Sequence, residues 1–137
     1  MNSAKPQLSD AYEDLANRVD ALLKQMSLAE KIGQMCQVEA GYGNPPEYLA
    51  DRLRAGSIGS VLNVVDVDVV NELQRIAIEE SRLGIPLLVG RDVIHGFKTV
   101  FPIPLGQAAT WNTELVRECA RSAALEAAKS GVNWTFA

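Results

Sequence analysis

The chain has 137 residues, 47% hydrophobic and 22% charged, with a formal net charge of −4 at pH 7. That is the make-up of a single globular domain. The acidic balance and the lack of a basic block argue against a nucleic-acid or anionic-membrane partner. No apolar run reaches the roughly 20 residues that a membrane helix needs.

Residues 1–9 read as a polar tail. The N-terminus MNSAKPQLSDAYEDL has no apolar stretch of the kind a secretory leader carries. As given, the chain reads as cytoplasmic, or as periplasmic or secreted if a leader has been removed. Leu15, Val19, Leu22, Leu23 and Met26 recur at helical spacing and predict an amphipathic helix over 10–26. Ser27-Leu-Ala-Glu30 is a capping box, in which the hydroxyl accepts from the third helical N–H and the carboxylate reaches back. It predicts a short helix over 28–37. GYGNPP (41–46) is a loop, and 47–55 is a short helix stopped at Gly56. The period then changes: IGSVLNVV (58–65) is β-branched and apolar, a buried strand. Asp66 or Asp68 caps a helix over 67–83, and Gly84 stands where a helix end wants positive φ. A strand over 85–89 ends at Gly90. A long loop follows to Thr110. Asn112 caps a helix over 113–130, Gly131 ends it, and 132–136 is a third strand.

This alternation is that of parallel βα units, with right-handed crossovers placing the strand carboxyl ends on one face. A three-stranded parallel sheet must be covered on both faces. The chain supplies little to do so, and it reads as the first part of a larger α/β domain. Cys36 and Cys119 both fall on predicted helices and read as free, buried thiols.

LLVGRDVIHG (87–96) holds the densest group of reactive side chains. Arg91, Asp92 and the lone His, His95, follow the strand, where ligands bind in parallel α/β proteins. Asp92 and His95 are too few for a metal site. GSIGS (56–60) lacks the Lys and spacing of a phosphate loop, and no G-x-S-x-G elbow is present to hold a nucleophilic serine. Asn133-Trp-Thr fits a glycosylation sequon but falls on a predicted strand, and reads as chance. No cofactor is indicated.

The chain resembles the N-terminal part of a glycoside hydrolase family 3 enzyme of the bacterial β-glucosidase type. The matching pieces run in order: RVDALLKQMSLAEKIGQM (18–35), GSIGSVLN (56–63), NELQRIAIEESRLGIPLLVGRDVIHG (71–96), KTVFPIPLGQAATWN (98–112) and ALEAAKSGVNWTFA (124–137). The resemblance covers 10–137 and implies an α/β fold, the opening of a (β/α)8 TIM-like barrel truncated after about three strands. Such barrels take about 250 residues. It also implies retaining hydrolysis of terminal non-reducing β-linked sugars. The partners would be a β-linked glucoside or oligosaccharide as substrate, the rest of the barrel and a downstream domain. No catalytic residue is assigned in this chain, because the resemblance places nucleophile and acid/base beyond Ala137.

Asp92 matches the carboxylate that holds hydroxyls of the terminal sugar. A carboxylate accepts from two neighbouring hydroxyls at once, and such charge-assisted bonds are the stronger kind. The alternative for Asp92 is a turn cap or a pair with Arg91. His95 reads as the support of its loop, donating to a backbone carbonyl or to Asp92, with lining the pocket as the other option. Arg91 and Asn63 are weaker pocket candidates, and Lys98 belongs on the surface. Phe97, Phe101 and Trp111 could stack on sugar rings, although packing under the long loop suits Phe101 and Trp111 better. The competing class is a truncated or stand-alone α/β module that binds a ligand without catalysis.

Overall fold

In a computed structural model, residues 8–40 and 47–137 are described. The chain alternates helices and parallel strands. In order these are α1 (Leu8–Gln25), α2 (Leu28–Gln34), β1 (Gln37–Glu39), α3 (Glu47–Arg54), β2 (Ser60–Leu62) and α4 (Val67–Arg75). A π-helical turn (Ile76–Glu80), β3 (Leu88–Asp92), α5 (Pro104–Ala108), α6 (Thr113–Lys129) and β4 (Trp134–Phe136) complete it. The loop expected over 41–46 and residues 1–7 of the expected tail lie outside the described residues, whereas Leu8 and Ser9 belong to α1.

The sheet has four strands in the order β1-β2-β3-β4, one more than the three expected. All three pairings are parallel, so the carboxyl ends share one edge. The extra strand is Gln-Val-Glu, with Val38 alone packing against the core between two exposed polar residues. It has no apolar run to announce it, and it takes the place of the last residues assigned to the second helix. Cys36 stands before it, off any helix, and both free cysteines are half-buried instead of buried.

Other boundaries moved for local reasons. The strand expected over 58–65 pairs only at Ser60–Leu62, because Asn63 turns the backbone to φ 67°. The strand expected over 85–89 pairs later, from Leu88 to Asp92, since Pro86 has no N–H to give a ladder. Gly90 therefore continues the strand. A Cβ there would lie 3.0 Å from Phe136 Cε2 and 3.2 Å from Gln37 Nε2. α5 rises inside the stretch expected to be loop, with Pro104 in its first turn, where a missing N–H costs nothing. The helix expected over 67–83 is α only to Arg75, and the wider turn after it buries both Ile76 and Ala77. The caps fall where expected: Ser27 and Glu30 form the box, Asp66 caps α4 and Asn112 caps α6.

The helix side of the sheet is packed along β1 to β3, while Thr135 of β4 stays exposed on it. Leu49, Leu53, Val61, Leu73, Leu87 and Val89 form its larger core, each at most 2% exposed. A smaller cluster of Val93, Ala123, Ala127 and Val132 takes in Phe97 and Phe101. The opposite face is open. Leu88 is 48% and Trp134 39% exposed, and the Trp134 and Phe136 rings stand 4.7 Å apart on it. Among the described residues, no helix is long and apolar enough to cross a membrane.

Glu30 ties the first two helices to the approach to β3. Its carboxylate accepts from Ser27 N–H and hydroxyl, each at 2.8 Å, and from Arg82 at 2.6 and 2.9 Å. The Arg82 guanidinium, with the Ser27 groups behind it, lowers the Glu30 pKa from 4.5 to about 2. A carboxyl depressed in the fold stabilises fully above its unfolded value, and that contribution fades as pH falls through the folded one. The stability gap between wild type and Glu30→Gln should therefore narrow as pH falls from 4.5 to about 2. Urea midpoints across that window would show it. A gap that stays constant would mean that the Arg82 pair contributes nothing.

Candidate functional site

The carboxyl edge of the sheet gathers Glu39, Asn63, Arg91 and Asp92 from three successive strand ends. Parity sets which way each residue points. Leu87, Val89 and Val93 are buried on the helix side, so Leu88, Gly90 and Asp92 point to the open face. Phe136, the registered partner of Asp92, sits on that face with Trp134. Asp92 is exposed, and among the described residues no side chain engages its carboxylate.

Arg91 turns instead to Asn63, donating from Nη1 to Oδ1 at 2.7 Å. Asn63 in turn donates from Nδ2 to Glu39 Oε1 at 3.0 Å. A relay thus crosses β1, β2 and β3, and Asn63 spends both ends of its amide on it. Its backbone N–H also donates to Gly90 O at 3.0 Å. The Arg91 Nε is buried with no partner among the described residues.

His95 lies away from this edge. Its Nδ1 is 2.9 Å from the Phe101 carbonyl, which makes that nitrogen the donor, and the Phe101 N–H returns to His95 O at 2.8 Å. The ring lines a cleft of about 260 Å³ with Val93, Phe101, Cys119, Ala123 and Thr135. Thr135 has the opposite parity to Trp134 and Phe136, so this cleft is on the helix side of the sheet. The structure therefore brings Asn63 and Arg91 together, leaves Asp92 free beside them, and sets His95 apart.

Of the aromatic residues, Phe101 packs as expected and Trp111 does not. Phe97 and Phe101 pack in the smaller core cluster. Trp111 is 95% exposed, at φ 52°, and packs under no loop. It caps the turn between α5 and α6 with its backbone in the left-handed region, its side chain pushed outward. Lys98 is exposed, as expected. Trp134 and Phe136 were missed. They belong to a strand read only as buried, and its open face shows once the alternation is anchored on β3. Glu39 was missed because β1 was.

Residues 27–137 match the sequence profile described as "Glycosyl hydrolase family 3 N terminal domain". A periplasmic β-glucosidase of Salmonella typhimurium is 39% identical over 132 residues, which is 96% of this chain and 16% of that protein. This chain belongs to glycosyl hydrolase family 3. A lysosomal β-glucosidase of Dictyostelium discoideum is 31% identical over 87% of the chain and 18% of its own length. Among solved structures, a Listeria innocua β-glucosidase in complex with isofagomine superposes with TM-score 0.75 and 38% identity, covering 88% of this chain and 17% of that one. The chain thus spans about a sixth of the length of its family-3 relatives. The four strands in sequence order are the opening of the family's TIM-like barrel, and their open face is the one that lines a barrel.

The Asn63 geometry yields a stability test. Its positive φ costs a residue with a Cβ roughly 1 kcal/mol, and glycine avoids that strain. Asn63→Gly and Asn63→Ala both lose the amide relay, so Asn63→Ala should be less stable by about 1 kcal/mol in urea unfolding. Equal stabilities would mean that the turned backbone at Asn63 relaxes without strain.

Proposed function

We propose that this chain supplies the sugar-holding carboxylate of a retaining β-glycosidase of the β-glucosidase type. The enzyme would remove terminal non-reducing β-linked sugars from oligosaccharides or glycosides. The observation that carries the reading is Asp92: an exposed, unengaged carboxylate at the carboxyl end of a barrel strand, beside an aromatic pair. A neutral sugar offers hydroxyl donors and apolar C–H faces. The carboxylate meets the first, and Trp134 and Phe136 offer the kind of surface that meets the second.

In such a mechanism one carboxylate attacks the anomeric carbon and a second carboxyl group protonates the leaving oxygen. We assign neither role within this chain. Asp92 would hold the sugar in place while groups from the remaining barrel and a downstream domain break the bond. Arg91 and Asn63 would serve by fixing the strand ends, and His95 by holding the loop after Asp92. The periplasmic relative favours a periplasmic setting.

By itself the 137-residue chain should not hydrolyse an aryl β-glucoside. Turnover by the purified chain, lost on Asp92→Ala, would overturn that expectation. In the complete protein, Asp92→Ala removes two charge-assisted hydrogen bonds. That should cost on the order of a hundredfold in kcat/KM or more. Unchanged kinetics would remove Asp92 from the sugar site.

A further inference from the structure

The segment after Asp92 is closed at its neck and pinned at its tip. The neck is the reciprocal pair between His95 and Phe101. Gly96 bridges Val100 in antiparallel fashion and sits at φ 118°, where a Cβ would meet Thr99 O at 2.0 Å. The bend is therefore tight. It turns the N–H groups of Lys98 and Thr99 toward α6, where a single side chain receives them.

That side chain is Glu126. Its Oε2 accepts from Lys98 N and Thr99 N, each at 2.8 Å, and its Oε1 accepts from the Thr99 hydroxyl at 2.6 Å. Three bonds to one ionised group are charge-assisted and strong for their exposure. The Thr99 donors hold the Glu126 carboxyl below its ordinary range, consistent with a group that stays ionised. Glu126 lies beside Ala123 and Ala127, which pack with Val93, Phe97 and Phe101. The polar pin and the apolar packing thus join α6 to the chain leaving β3. Glu126 lies 34 residues beyond Asp92 in sequence, and among the described residues its side chain bonds only to Lys98 and Thr99.

We propose that Glu126 is a positioning residue for the sugar site: it holds the 95–101 loop closed and thereby sets the exit of β3 that carries Asp92. The proposal rests on the sugar-holding reading of Asp92 for its functional consequence, but not for its structural one. Glu126→Ala removes all three acceptors. Thr99→Val removes only the hydroxyl bond. Glu126→Gln keeps the shape and an acceptor oxygen.

The test uses the complete protein carrying this chain. It measures amide hydrogen exchange across 95–101 together with KM and kcat on an aryl β-glucoside. Glu126→Ala should speed exchange in that segment by at least about tenfold, the loss of one charged hydrogen bond. It should raise KM while kcat changes little. Glu126→Gln should restore most of both, and Thr99→Val should give a smaller shift in the same direction even where Glu126→Ala fails to fold. Unchanged exchange in both Glu126→Ala and Thr99→Val, or a freed loop with unaltered KM, overturns the proposal. Asp92→Asn runs in parallel. If it leaves both kcat and KM unaltered, the sugar-holding reading falls and takes the positioning role at the sugar site with it. The exchange rates then still decide whether Glu126 holds the loop.

Discussion

β3 is bonded on both edges, to β2 through Ser60–Leu62 and to β4 through Trp134–Phe136, and its register decides where a charge goes. Two carboxamides hold that register before the ladder begins. Gln74 donates to Leu87 O at 2.9 Å and accepts from Leu87 N–H at 3.0 Å. Asn133 accepts from Val89 N–H at 2.7 Å and donates to the same Leu87 carbonyl at 3.2 Å. A slip of one residue would turn Val89 out to the open face and drive Asp92 into an apolar core. Burying an unpaired carboxylate there costs far more than the ladder could return. The face of the sheet on which Asp92 emerges therefore follows from packing and backbone pairing some distance below it.

With the register set, the edge above distributes its charges. Arg91, next to Asp92 in sequence, has the opposite parity and is taken up by Asn63, and Asn63 is steadied by Glu39. The cation that could have neutralised Asp92 is thereby held elsewhere. A carboxylate without a partner among the described residues suits a neutral polyhydroxyl ligand, which brings donors and no charge. Gly90, one turn of the pleat below, leaves room for Phe136, Gln37 and Leu62 to close over the strand. That layer, a Phe ring and a Leu side chain with one carboxamide, floors the open face beside Asp92.

The alternation of strands and helices, the helix caps and the group at the end of β3 were legible in the chain because each has a local cause. Ser27 and Glu30, Asp66 and Asn112 are local signals with local geometry. The FPIPLG and DVIHG segments carried the family as a whole. What was not legible depended on partners distant in sequence. β1 has one apolar residue and exists because β2 pairs with it. Gly90 reads as a stop in one dimension and as a space for Phe136 in three. Asn133 reads as a chance sequon and acts as a rung of the sheet. Trp111 reads as packed under the long loop, yet its backbone turn leaves it on the surface. Parity could have found Trp134 and Phe136 once β3 was placed at 88–92.

If Asp92 holds particular hydroxyls of the terminal sugar, its loss matters only while those hydroxyls are present. The most direct measurement is kcat/KM for wild type and Asp92→Asn in the complete protein, with an aryl β-glucoside and its monodeoxy analogues. Coupling is expected: the Asp92→Asn loss is large with the parent glucoside and largely disappears with the analogue lacking a hydroxyl that Asp92 holds. An Asp92→Asn loss of the same size on every analogue, or no loss on any, would contradict it.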